Sequence, residues 1–310
     1  MRHWGTLRDA DKDDQVSRLT LLESGNSSAD TDLSNQAAFL GDPNFPDLAM
    51  TSTKGARIRV YESLYKTYSR LEFSKVTDRP IAIAGLEQRL VAAFKTHGGY
   101  GVFEGDFFGR SLLWKRDSEK GMKKIDFAAG QIIQSATAFK NYTVPTWSWM
   151  AYEGPIAFLD IPFRGVEWLY KRDKGIRSPW ALDTTSNNSS SASASWHTGN
   201  TDEKTNLAAW ANDFSVPIES AMGKIVFDDG PAPPTFSRKN EKSVKCVIVG
   251  RQKIKVAEQA GLDPESQEHY VLVVIARPKE GRQDTYERIG VGTVPGSWIA
   301  QEKQEEILIF

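Results

Sequence analysis

The chain reads as an α+β protein in which N-terminal helices pack on a C-terminal sheet or partial barrel that is mainly antiparallel. Three observations point there. Apolar residues recur at three- and four-residue steps between Ile58 and Phe94, the period of an amphipathic helix. Short, evenly punctuated apolar runs fill the last third of the chain, as antiparallel strands do. The two patterns are segregated rather than alternating, which separates α+β from α/β.

Residues 1–54 are polar, and Ser24–Asn35 has almost no apolar content, so it reads as a mobile loop. Phe39, Leu40, Phe45 and Leu48 follow as scattered apolar residues that can lie across a neighbour. The first helix is expected over Ile58–Phe73, with Ile58, Tyr61, Leu64, Tyr65, Tyr68 and Leu71 forming one stripe. Thr77-Asp78-Arg79-Pro80 is a start signal for a second helix: Asp78 can cap and Pro80 suits the first turn. Ile83, Leu86, Leu90 and Phe94 then share a face, and Gly98, Gly99 and Gly101 end the helix.

Phe107–Trp114 is a short amphipathic stretch with Phe108, Leu112 and Leu113 as its buried set, and Asp117–Lys124 is a charged loop. Val144–Asp160 holds Pro145, two Trp and Gly154, and reads as a bend entering a strand at Pro155–Leu159. Asp183–Asn206 is a low-complexity insert that cannot bury enough apolar surface to offset its ordering entropy.

Strands are expected at Lys224–Phe227, Val244–Val249, Tyr270–Ala276, Tyr286–Val291 and Ile307–Phe310, with a short helical turn at Ala257–Gly261. Tyr270–Ala276 is almost continuously apolar and is therefore assigned as a central strand. The organisation that results is a polar segment at 1–54, a helical Trp-rich part at 55–182, a low-complexity loop at 183–206 and a β-rich part at 207–310. The second and fourth are expected to form one compact unit.

A chain of 310 residues is long enough to bury a sizeable core. Its formal net charge of -1 gives no field that favours nucleic acid or an anionic membrane. The N-terminus Met1-Arg2-His3-Trp4-Gly5 leads into charged residues rather than an apolar stretch, and no window approaches ~18 consecutive apolar residues, so neither a signal peptide nor a membrane span is expected. The default compartment is the cytosol, where the sequons at Asn26, Asn141, Asn187 and Asn188 are chance matches.

Cys246 is the only cysteine, which excludes an intrachain disulfide and a cysteine-based zinc site. The four histidines, His3, His97, His197 and His269, have no ligand spacing, and no metal or cofactor is expected. No Gly-x-Ser-x-Gly elbow occurs. The glycines between Gly98 and Gly109 follow a helix instead of a strand and lack Gly-Lys-Ser/Thr, so they read as a helix-terminating loop and not a phosphate loop. Asp11-Lys12-Asp13-Asp14 spells the acid motif of alkene-protonating cyclases, but its polar setting makes it a solvated charge run.

Two stretches can carry chemistry. Glu104, Asp106 and Arg110 lie together in an aromatic stretch and can do acid–base work. The structural alternative has Asp106 capping the following helix and Arg110 pairing with a carboxylate a turn or more back. The second stretch is Val144–Ile156, which holds two of the nine Trp residues. Alternation places Trp147 and Trp149 on one face and Ser148 and Met150 on the other, with Glu153 at the turn. These Trp are either core anchors or, with Trp114, Phe103 and Tyr152, the wall of an aromatic pocket.

The pattern resembles one family. Tyr68-Ser69-Arg70-Leu71, Asp78-Arg79-Pro80-Ile81-Ala82-Ile83-Ala84-Gly85-Leu86, Tyr100-Gly101-Val102-Phe103, Leu112-Leu113-Trp114, Val144-Pro145-Thr146-Trp147-Ser148-Trp149-Met150-Ala151 and Gly154-Pro155-Ile156 follow one another in the order and spacing of the region downstream of the HET domain in fungal heterokaryon-incompatibility proteins. Tyr286-Glu287-Arg288-Ile289-Gly290-Val291-Gly292 is similar to a motif near the end of such proteins. The resemblance is specific over Tyr61–Phe163 and looser to Ile299. The Tyr-x-x-Leu-Ser-Tyr-x-Trp-Gly-type signature of the HET domain is absent, so no catalytic residue is implied. The expectation is a HET-related recognition or regulatory module with a protein partner. The alternative is a cofactor-independent enzyme of cyclase, lyase or isomerase type in fungal secondary metabolism. That enzyme would hold an apolar small molecule against Trp114, Trp147, Trp149, Phe103 and Tyr152, with Glu104, Asp106, Arg110 or Glu153 as acid–base groups. A structural scaffold or a fragment of a longer protein is the third reading.

Overall fold

A computed structural model describes residues 53–127, 144–180, 206–221, 223–230, 244–253, 266–277 and 285–310. The polar segment up to residue 52, with Asp11–Asp14 and the sequon at Asn26, lies outside the described residues. So do the sequons at Asn141, Asn187 and Asn188, the low-complexity insert apart from Asn206, and the turn expected at Ala257–Gly261.

Helix α1 (Lys54–Tyr68) starts where the Thr53 hydroxyl accepts the Ala56 N–H at 3.2 Å, the N-cap bond that satisfies one orphan donor. It buries Ile58, Tyr61, Leu64 and Tyr65, the expected stripe. It ends five residues before the expected Phe73. Ser69 turns the chain instead, accepting the Ile156 N–H on its hydroxyl at 2.9 Å, and Leu71 is left 53% exposed.

Helix α2 (Arg79–Phe94) has Pro80 in its first turn, as expected, and buries Ile83, Leu90 and Phe94. Asp78 does not cap it with its side chain. A 3₁₀ turn at Val76–Asp78 runs straight into the helix, so Asp78 has helical dihedrals (φ -80°, ψ -13°) and not the extended ones a capping side chain needs.

The glycine run after α2 is a hairpin. Strands β1 (Gly98–Gly99) and β2 (Val102–Phe103) pair through a two-residue turn, Tyr100-Gly101, in which both φ angles are positive (55° and 79°). Such a turn matches the right-handed twist of its strands. The stretch expected as one amphipathic piece over Phe107–Trp114 is divided. A 3₁₀ turn at Gly105–Phe107 leads into the short helix α3 (Phe108–Leu112), and Trp114 already belongs to strand β3 (Trp114–Arg116). Strand β4 (Lys123–Lys124) pairs with β5 (Tyr152–Glu153), and β3 pairs with β6 (Ile156–Phe158).

The alternation expected around the Trp pair is absent. Backbone bonds from Ser148 N to Pro145 O and from Ala151 N to Ser148 O wind residues 145–151 into tight turns, with a 3₁₀ turn at Trp149–Ala151 capped by the Ser148 hydroxyl. Ser148 and Met150 are therefore as buried as the Trp residues.

Strand β7 (Val166–Trp168) joins the main sheet at β10. The rest of that sheet is β8 (Leu207–Phe214), β9 (Ile225–Phe227), β10 (Val244–Gln252), β11 (Glu268–Arg277), β12 (Thr285–Pro295) and β13 (Ile299–Ile309). Its order is β11-β10-β8-β13-β12-β9, and β11 also pairs with β12, so five long strands close into a circuit. Every pairing is antiparallel except the two-residue parallel contact of β12 with the end of β13. The architecture is thus α+β, with the barrel closed where the sequence suggested a partial one. Strand β8 and strand β7 were not expected, and β13 begins eight residues before Ile307.

Both faces of the central strands are covered, which explains the continuous apolar run in β11. Val247, Val249, Leu272 and Val274 join the cluster that also contains the helices and the Trp segment. Cys246, Ile248, Val271 and Val273 join a second cluster with Ile225 and Phe227. No described helix is long and apolar enough to cross a membrane.

Candidate functional site

Trp114, Trp147 and Trp149 are each 0% exposed and lie where the helices meet the barrel. The Trp114 indole N–H donates to the Trp147 carbonyl at 2.9 Å, and its ring tilts against Tyr152 at 5.5 Å. Trp147 stands edge-on to Tyr100 at 5.9 Å and to Trp180 at 6.1 Å. Trp149 packs on Tyr65 at 5.3 Å and on Tyr68 at 6.2 Å, and Phe103 is stacked with Tyr65 at 6.0 Å. Phe103 and Tyr152, the other two residues expected to line a pocket, are 0% and 3% exposed. All five belong to one aromatic core in which edge-to-face and offset contacts add to area burial.

Two guanidinium groups hold this core from opposite ends of the chain. Arg288 on β12 is buried with Asp228, its Nε 3.1 Å and its Nη2 3.2 Å from the two carboxylate oxygens. The same guanidinium donates to the Leu112 carbonyl at 2.9 Å and to the Trp114 carbonyl, and lies 3.3 Å over the Trp114 ring. Its backbone N–H donates to the Thr146 hydroxyl at 3.2 Å. Burial pushes the Asp228 carboxyl up and the Arg288 guanidinium down, while their attraction opposes both shifts. Arg79 plays the matching part on the helical side. It donates to the carbonyls of Tyr152 (3.0 Å), Ser69 (2.9 Å) and Gly154 (3.1 Å) and lies 5.2 Å over Trp149.

Glu87 is the unexpected member of the site. It is 1% exposed on the buried face of α2, and its Oε1 accepts the Gly101 N–H. Burial pushes its carboxyl up to about 7, against the Gly101 and Tyr100 N–H groups and the nearby Tyr65 hydroxyl, which favour the charged form. Its Oε2, the Tyr65 hydroxyl and the Trp149 indole N–H have no well-formed hydrogen bond among the described residues. The Trp149 indole nitrogen lies 2.1 Å from where a Cβ on Gly101 would be, so this turn needs glycine for space as well as for its φ of 79°.

The four residues expected to do acid–base work are not brought together. Glu104 is paired with His97 at 3.0 Å. Asp106 is half-exposed between Lys54 and Lys171, each at 3.0 Å, and those cations lower its carboxyl to about 2. It caps nothing, and it is not the partner of Arg110. Arg110 donates instead to the Ile161 carbonyl at 2.9 Å and the Pro162 carbonyl at 2.6 Å, and lies 4.6 Å over Phe163. A carboxylate that does feel Arg110 is Glu62 on α1, pushed up to about 7 by burial although Arg110 and Arg59 oppose the shift. Glu153 is exposed on the short β4–β5 ladder, paired across from Lys123.

A sequence signal for Glu87 existed. It sits four residues after Ile83, three before Leu90 and seven before Phe94, all on the buried stripe, so the helical period alone places a carboxyl in the core. Asp228 and Arg288 had none, since they meet across 60 residues. No group of three or more His, Cys, Asp or Glu side chains suited to a metal occurs among the described residues. No protein-family model matches the chain, and neither a curated protein nor a solved structure matches it.

Proposed function

We propose that this chain is a cytoplasmic recognition or regulatory module, related to the region that follows the HET domain in fungal heterokaryon-incompatibility proteins, and that its partner is a protein. The observation that carries the reading is the mutual contact of the positions on which the resemblance rests. The Ser148 hydroxyl donates to the Tyr100 carbonyl at 2.6 Å, Trp114 to Trp147, and the Tyr68 hydroxyl to the Arg79 carbonyl at 2.7 Å. Arg79 reaches Ser69 and Gly154, and Arg288 reaches Leu112 and Trp114. Motifs scattered over more than two hundred residues thus form one interlocked core, as expected of a pattern that specifies a scaffold.

The enzyme alternative needs Glu104, Asp106, Arg110 or Glu153 beside the indoles. Glu104, Asp106 and Arg110 are engaged elsewhere, Glu153 is exposed at the surface, and Trp114, Trp147 and Trp149 are covered by other side chains. Affinity capture from a filamentous-fungal extract tests the module. The bait is the full chain, with an Arg288→Met variant as the disrupted control. The expected result is a protein retained by the wild-type chain, competed off by untagged chain and lost on the control. Repeated captures with no competable protein, alongside turnover of a small molecule by the purified chain, overturn it.

A further inference from the structure

One side of the barrel carries a recess of about 270 Å³, lined by Leu169, Arg172, Lys174, Ile248, Arg251, His269 and Gln304. It contains none of the residues on which the resemblance rests, so it stands apart from the module reading, and either can fail alone.

The lining has surplus positive charge. Glu167 is the carboxylate that answers it, with Oε1 held by Arg172 and Oε2 3.1 Å from Arg251 Nε. Two cations thus share one carboxylate. Lys174 has no carboxylate partner among the described residues and lies 5.2 Å over the Trp210 ring. Three cations against one carboxylate leave two positive charges unmatched.

His269 supplies an acceptor. It is 1% exposed, and its Nδ1–H donates to the Gln267 carbonyl at 2.9 Å. That bond fixes the tautomer and leaves Nε2 with a lone pair. Burial, with Arg251 nearby, lowers its pKa and keeps the ring neutral, and Nε2 has no hydrogen-bond partner among the described residues. Gly296 makes room for the ring, since a Cβ there would stand 2.9 Å from its Cε1.

Two of the three register shifts in the sheet fall beside the recess, the third lying between Val273 and Val274 of β11. β10 shifts between Ile248 and Gly250, and β13 shifts between Ala300 and Gln304. Both irregularities adjoin lining residues, and bulges of this kind re-aim side chains next to sites.

We propose that the recess binds a small phosphorylated metabolite that also bears a hydroxyl group. A phosphate monoester dianion matches the two unmatched charges, with the open nitrogens of Arg251 and Arg172 and the Lys174 ammonium as donors. His269 Nε2 is closed to solvent in the unliganded recess, so the ligand hydroxyl donates to it once a lining side chain shifts aside, and Gln304 borders the opening. The volume suits a sugar or polyol phosphate and is below the ~300–1,000 Å³ typical of drug-sized pockets.

Calorimetric titration of the full chain with glucose 6-phosphate, ribose 5-phosphate, inorganic phosphate and glucose tests this. Saturable binding of at least one sugar phosphate is expected, at least tenfold tighter than inorganic phosphate and with glucose not binding. Arg251→Gln and Lys174→Gln should each weaken it tenfold or more. His269→Gln should narrow the preference over inorganic phosphate, because it alters the hydroxyl acceptor and not the charge. Arg70→Gln, an exposed arginine on the helical side, should change nothing, and circular dichroism checks that each variant is folded. Failure of both sugar phosphates to saturate, or equal binding of phosphate and sugar phosphates that Arg70→Gln weakens as much as Arg251→Gln does, overturns the proposal.

Discussion

Replacing Arg288 by methionine is expected to lower the unfolding free energy by about 3–5 kcal/mol, the usual result of removing one partner from a buried ion pair. The change strands Asp228, which is 1% exposed, and removes donors from the carbonyls of Leu112 and Trp114. It also removes the cation from the face of Trp114. Urea titration at pH 7 measures the loss, which corresponds to a fall of roughly 10 °C in Tm. The paired change Arg288→Met with Asp228→Leu should recover a large part of it, because no unmatched charge remains in the core. Equal losses in the single and paired variants would mean that the ion pair is not what holds β12 to the Trp segment.

The second large effect is a pH dependence centred on Glu87. Its carboxyl is held at about 7 in the folded chain, against an ordinary 4.5. A raised carboxyl pKa means that the folded state binds the proton more tightly than the unfolded state does. Its contribution to stability is full below pH 4.5, falls as pH rises through the window up to about 7, and is lost above it. The span corresponds to about 3 kcal/mol at most. Glutamine copies the protonated form, keeps an acceptor for the Gly101 N–H and cannot ionise. Glu87→Gln is therefore expected to match wild type near pH 4.5 and to exceed it by up to about 3 kcal/mol at pH 8, read from urea curves at both values. His269, whose pKa is lowered by burial, gives a slope of opposite sign that is common to both chains and cancels in the comparison. Parallel stability curves would show that Glu87 is not buried as a neutral acid.

What could be read from the sequence followed from period. The stripes of α1 and α2 and the continuous apolar run of β11 are local patterns, and all three elements are present. Where tight turns replace regular structure, the period misleads. Pro145 and the Ser148 cap wind the Trp segment into turns, so a strand-like alternation of Trp147 and Trp149 never forms. Strand β8 reads Leu-Ala-Ala-Trp-Ala-Asn-Asp-Phe, with no β-branched residue, and is a strand because β10 and β13 flank it. The charged run in β13, Glu302–Glu306, hid a strand because all five of its side chains are exposed and carry no apolar alternation. Site chemistry was the least legible part. Buried charges are defined by partners far along the chain, and Arg288 with Asp228 and Arg110 with the Ile161 carbonyl are of that kind.

The central claim is that the Trp-rich helical part and the barrel are one cooperative unit joined by buried contacts from Arg79 and Arg288. The most direct measurement is equilibrium unfolding of the wild-type chain in urea, followed in parallel by tryptophan fluorescence and by far-UV circular dichroism. The first reports largely on the buried indoles, and the second on the strands and helices. One unit gives two superimposable transitions with the same midpoint and slope. An indole transition that precedes loss of the β signal would contradict it, because the Trp segment would then unfold while the barrel stood.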